Sequence, residues 1–137
     1  MTTTLRRAIV LVYLLGLAGT AADLLLIGHV EEWTQLAPLI VIAVAFLAGI
    51  WWGITIDLHL RGVFQVTIAV LMFTGMAGLW FHFQGNVEFE REVSPTLSGV
   101  PFYWKALQGG SPPSLAPGTL VHLGLIGLIS TFKEREK

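Results

Sequence analysis

Three of the four histidines in this 137-residue chain stand where apolar blocks meet polar sequence. His29 closes the first apolar block, His82 closes the third, and His122 sits about one turn inside the last. Glu31, Glu32, Glu88, Glu90 and Glu92 lie in the flanking connections. Imidazole combined with carboxylate is a donor set for zinc, iron, copper or manganese. His29, His82, His122, Glu88 and Glu90 are therefore the candidate metal ligands. No HExxH motif, ExxH pair or other local ligand spacing accompanies them, so the set depends wholly on how the apolar blocks come together. The competing reading is that histidines at such boundaries hydrogen-bond to water and headgroups.

A flat macrocycle is a second possible occupant. Gly78 precedes His82 by four residues, and Gly118 precedes His122 by four. On a helix the i−4 position lies under the side chain, so a glycine there leaves room for a ring ligated by the histidine. Axial histidine is a common haem ligand. His82, His122 and His29 are thus also the candidate ligands of a haem or chlorophyll.

Asp23 is the one acid placed inside an apolar block. An ionisable group within a membrane span is costly to keep and is by default a functional candidate. It is the candidate proton-coupling residue, with Thr20 one turn away and Thr119 and His122 as partners at similar depth. The bland alternative is an acid near enough to the surface to reach water or Lys105. His59, beside Asp57 and Arg61, reads as a solvated loop residue. No Ser/His/Asp constellation and no phosphate-binding loop is present. The absence of cysteine excludes disulfides and thiol chemistry. The expected protein is not an enzyme.

The elements that position these residues follow from composition. Apolar residues make up 54 % of the chain and charged residues 12 %, against about 25 % charged in soluble domains. A net charge of −1 argues against nucleic acid as a partner. A helix needs about 20 residues to cross some 30 Å of hydrocarbon. Four blocks approach that length, at about 7–28, 36–56, 63–83 and 117–132. The sequence therefore predicts an all-α integral membrane protein: one antiparallel four-transmembrane-helix bundle, with a short structured outer-face connection over residues 84–116. Pro38 is expected in the first turn of the second span, where its missing N–H costs little.

Within the connection, Gly85-Asn86 reads as a helix break. Asn86–Val93 reads as an extended segment, with Val87, Phe89 and Val93 on one face and Glu88, Glu90 and Glu92 on the other. Pro101 is expected to open a short helix that Gly109-Gly110 ends, placing Phe102, Tyr103, Trp104 and Leu107 in the membrane interface. Small residues at packing intervals (Gly16 and Thr20, Ala45 and Gly49, Thr74 and Gly78, Gly124 and Gly127) are expected to let the chain's own helices approach closely.

Arg6, Arg7, Arg61, Lys133, Arg135 and Lys137 fall on one predicted side, and Arg91 and Lys105 on the other. The positive-inside rule then puts both termini in the cytoplasm and suits a multi-pass protein of a bacterial inner (plasma) membrane. The functional expectation is a non-enzymatic accessory or structural subunit of a larger membrane complex, of respiratory or photosynthetic type. Its partners would be the lipid bilayer and other membrane subunits, or further copies of itself. The alternatives are a haem-, chlorophyll- or transition-metal-binding protein and a small proton-coupled transporter using Asp23.

Overall fold

The computed structural model describes residues 1–109 and 113–132. The His59 side chain, Gly110, Lys133, Arg135 and Lys137, which enter the expectations above, lie outside the described residues. The described residues form five helices and no strand: α1 (Thr3–Leu26), α2 (Trp33–Thr55), α3 (Leu58–Val93), α4 (Gly99–Leu107) and α5 (Gly118–Ile129). Three of them, α1, α2 and α3, are long and apolar enough to cross a membrane.

Contacts run from α1 to α2, α2 to α3, α3 to α5 and α5 back to α1, closing a ring; α4 packs on α3. Each ring helix turns one stripe inward. On α2 the stripe is Ile42, Ala45, Gly49 and Trp52, and on α3 it is Phe64, Ile68, Leu71 and Gly75, all buried. Alternating steps of three and four keep one face toward the neighbours over many turns. Large apolar side chains on the opposite faces, such as Leu15, Leu47, Val66 and Phe73, are exposed, as lipid-facing positions are.

At the end where α1 begins and α5 finishes, the interior is filled. Trp52 stacks on Phe64 at 5.8 Å, and Tyr13 meets Phe64 edge-on at 5.8 Å. The Trp52 indole N–H donates to Ser130 Oγ at 3.1 Å, and Ser130 donates to the Gly127 carbonyl at 2.6 Å. Gln65 Nε2 donates to Thr131 Oγ1 at 3.0 Å, and Arg6 donates to the Phe132 carbonyl at 3.1 Å. In lipid there is no water to drive apolar surfaces together, so this close fit and these bonds supply the association. Glycines make the fit possible. A Cβ on Gly16 would strike the Leu123 side chain, and one on Gly49 would lie 2.8 Å from Tyr13 Cε1. The small residues expected to serve the chain's own packing do so at Gly16, Gly49, Gly78, Gly124 and Gly127.

Two sequence expectations are overturned. The chain does not break at Gly85-Asn86, nor is Asn86–Val93 extended; α3 runs on unbroken to Val93. Its 36 residues measure about 54 Å at 1.5 Å per residue. A single glycine costs a helix only about 1 kcal/mol, and the Glu-Phe-Glu-Arg-Glu run that follows consists mostly of good helix formers. Helical spacing, rather than alternation, selects the contacts. Val87 and Glu90 are buried toward α4, while Phe89 and Val93 are left exposed. Phe102 and Ala106 of α4 pack on Val87, with Phe83 and Leu97 at the margin. Phe102 is thus buried between helices rather than set in an interface, whereas Tyr103 and Trp104 are exposed.

The second correction concerns Pro38. Because α2 starts at Trp33, Pro38 sits inside the helix rather than in its first turn. It has no N–H to give to the Thr34 carbonyl.

Candidate functional site

At the other end of the ring the same inward stripes fail to fill the interior. They line a cavity of about 650 Å³. From α1 come Thr20, Asp23, Leu24 and Ile27, spaced so that they share one helix face. From α2 come Thr34, Gln35 and Pro38; from α3, Thr74, Gly78, Phe81, His82 and Gly85. The approach to α5 adds Pro113, Ala116 and Pro117, and α5 itself adds Thr119 and Leu120.

Local backbone chemistry places the two histidines. Gly28 adopts φ 70°, the left-handed conformation that glycine enters without a Cβ penalty. The Gly28 N–H then bonds to the Leu25 carbonyl at 3.1 Å and the His29 N–H to the Leu24 carbonyl at 2.9 Å. This Schellman pattern satisfies two otherwise orphaned carbonyls and folds His29 back over the end of α1. Gln35 Oε1 accepts from the Glu31 N–H at 2.9 Å and the Glu32 N–H at 3.4 Å, fixing the entry to α2. His82 projects from α3, with its ring centroid 6.5 Å from that of His29. His82 Nδ1 lies 3.1 Å from the Pro113 carbonyl oxygen. Since that oxygen can only accept, Nδ1 carries the proton, and in the neutral ring Nε2 presents a lone pair.

Burial holds the His29 pKa below its ordinary value, and the neighbouring His82 lowers it further. The Asp23 carboxylate lines the cavity with no hydrogen bond or ion pair among the described residues. The Thr20 and Thr74 hydroxyls donate to their own helices, at Gly16 and Val70, both at 2.9 Å.

The structure therefore brings together His29, His82 and Asp23, but not the other predicted residues. His122 is exposed and does not line the cavity. Glu88 is exposed on the far part of α3. Glu90 turns toward α4, where its carboxylate lies 3.0 Å from Lys105 Nζ, which also donates to Ser94 Oγ at 2.7 Å. Lys105 is thus engaged there. Among the described residues, no three His, Asp or Glu side chains gather as a metal site. The space proposed for a macrocycle beside His82 is taken: a Cβ on Gly78 would lie 2.8 Å from Pro117 Cβ.

Sequence reasoning had named Thr20 and Thr119 beside Asp23, and both line the cavity. It missed Gln35, Phe81, Pro113 and Pro117, whose roles arise only from packing between distant segments. It also missed Asn86, a buried residue that donates to Ser114 Oγ at 2.7 Å; Ser114 in turn donates to the Ala106 carbonyl at 3.2 Å. Its one available signal was an amide in a stripe with Phe83 and Glu90, visible only once the segment is read as helix. A second hollow, of about 400 Å³, is a groove between α1 and α2 lined by apolar residues and Arg7.

Fold and site together define an all-helical protein with three helices capable of crossing a membrane and a histidine- and acid-lined cavity at one end. The chain matches no protein-family model, no curated protein and no solved structure.

Proposed function

We propose that the chain is a non-enzymatic, four-span integral membrane protein that serves as a subunit of a larger membrane complex, respiratory or photosynthetic in type. The observation that carries this reading is the projecting hairpin of α3 and α4. It stands past the apolar stretch of α3 and still exposes Phe89, Val93, Val100 and Trp104. Exposed apolar side chains clustered past the apolar stretch of a spanning helix fit a surface that a partner covers.

The fourth crossing is supported by where α5 begins and ends. α5 alone has 12 residues, about 18 Å. With its flanking turns it reaches from Pro113, bonded to His82, to Thr131, bonded to Gln65. Gln65 and His82 are about 25 Å apart along α3 by helical rise. The arginines support the orientation: Arg6, Arg7 and Arg61 lie toward the filled end, and Arg91 toward the projecting end. Both termini then face the cytoplasm of a bacterial inner membrane, and residues 84–116 form the outer connection.

The test is purification from native membranes in mild detergent. The expected result is co-purification with larger membrane subunits, lost in Phe89→Glu and Trp104→Glu variants that retain helical circular dichroism. A lone monomer with no cross-linked protein neighbours in native membranes would sink the proposal.

A second reading, a small proton-coupled transporter, is favoured by the cavity at Asp23. Uptake driven by a pH gradient in liposomes, abolished in Asp23→Asn, is its signature.

A further inference from the structure

The cavity has an uneven inventory of polar atoms. The Thr20 and Thr74 hydroxyls are spent on their own helices, and the Gln35 carbonyl is spent on the entry to α2. His82 uses its Nδ1 proton on the Pro113 carbonyl, leaving a lone pair at Nε2. Asp23 adds two carboxylate oxygens without partners among the described residues. Thr34 donates to the Glu32 carboxylate at 3.5 Å, so among the described residues these acceptors face the Gln35 amide, the Thr119 hydroxyl and the His29 ring as donors, and no lysine or arginine lines the cavity. The walls between are apolar: Leu24, Ile27, Pro38, Phe81, Pro117 and Leu120. The volume of about 650 Å³ lies within the roughly 300–1,000 Å³ of sites that take drug-sized molecules.

We infer that this cavity binds an amphipathic primary ammonium, with its N–H groups on Asp23 and His82 and its hydrocarbon against the apolar walls. The inference rests on the second reading only in treating the cavity as a ligand site; it does not require transport. Charge decides among ligand classes. An alkyl carboxylate would meet Asp23 with like charge, and a neutral alcohol offers one donor and no compensating charge. A quaternary ammonium has the charge but no N–H to give, so it forgoes the charge-assisted hydrogen bonds that a primary ammonium makes to Asp23 and His82.

The titratable groups lining the cavity are Asp23 of α1, His29 of the following turn and His82 of α3; α2 and α5 contribute none. Protonating either imidazole sets a positive charge beside the ammonium. Binding therefore weakens as pH falls through the imidazole range. A primary ammonium on an apolar tail occurs both in free alkylamines and in ethanolamine lipids, which share this chemistry.

The test is isothermal titration of the full chain in phosphatidylcholine nanodiscs with decylammonium, decyltrimethylammonium, decanol and decanoate. Decylammonium is expected to bind most tightly, to weaken about tenfold or more in Asp23→Asn, and to recover in Asp23→Glu, as removal of a charged hydrogen-bond partner implies. On the wild-type protein, needing no variant, affinity is expected to fall between about pH 8 and about pH 5. Discs containing phosphatidylethanolamine separate the sources. Lower decylammonium affinity there, with the lipid retained in native mass spectra, supports the lipid. Unchanged affinity supports the free amine. Equal binding of decanol or decyltrimethylammonium, unchanged binding in Asp23→Asn, or a flat pH profile overturns the inference. A protein that binds decylammonium but takes up nothing under a pH gradient keeps this inference and loses only the transport reading.

Discussion

At the scale of single residues, the two ends of the ring differ in what fills them. Gly124 and Gly75 both sit under α3–α5 contacts. A Cβ on Gly124 would strike Met72 Cγ, the base of a side chain packed against the core, and one on Gly75 would lie 2.9 Å from the Pro117 backbone oxygen. Gly75→Ala and Gly124→Ala are each expected to lower stability by about 1–3 kcal/mol in thermal unfolding in mild detergent. His29 supplies a pH prediction. Its pKa is lowered in the folded protein, by burial first and by His82 second. The unfolded chain thus binds more protons as pH drops below the ordinary histidine value of 6.5, so acid erodes stability through that window. His29→Gln is expected to flatten this part of the stability–pH profile. His82→Ala is expected to move the His29 titration only partway back in an NMR titration, because burial remains.

At the scale of elements, the continuity of α3 is the decisive feature. Gly85 has open space around its Cβ position, so Gly85→Ala removes the helix penalty of glycine without a clash. It is expected to stabilise the protein by about 0.5–1 kcal/mol with helix content preserved. A break at this point would give the opposite result, and circular dichroism with thermal unfolding distinguishes the two. The hairpin itself depends on Asn86. Asn86→Ala removes the donor to Ser114 that ties the approach to α5 against α3. A loss of about 1–3 kcal/mol is expected, with faster amide exchange in α4 than in α1 or α2.

At the scale of the whole molecule, the ring combines a filled half and a hollow half made from the same inward stripes. Aromatic rings and serine or threonine hydroxyls knit the filled half. Prolines and glycines at the other half (Pro38, Gly78, Pro117) hold helices at a distance or let only a proline approach. Because Pro117 occupies the space beside Gly78, the purified protein is expected to show no Soret band and no chlorophyll absorption; either, lost in His82→Ala, would show that Pro117 yields to a macrocycle. The cysteine-free chain also permits a direct topology experiment. Thr2→Cys and Ser98→Cys are expected to react with an impermeant maleimide from opposite faces of sealed vesicles, and labelling from one face would remove the four-span arrangement.

The residues alone were enough to establish a helical chain with helices long and apolar enough to cross a membrane. Long apolar blocks cannot be soluble loops, and unpaired backbone polar groups in lipid leave the helix as the economical choice. They also marked α4 to within about two residues, since Pro101 and Gly109-Gly110 punctuate it locally. The course of Gly85–Val93 was not legible, because its alternation and its helical spacing compete, and only α4 packing on Val87 and Glu90 selects the helix. The site was half legible. His29 and His82 could be named from their positions at block ends, and Asp23 as the one acid inside an apolar block. Which of them meet was settled by rotation and depth of helices far apart in sequence. Those quantities turned His122 and Glu88 outward, turned Glu90 to Lys105, and left an acid and two imidazoles around one cavity.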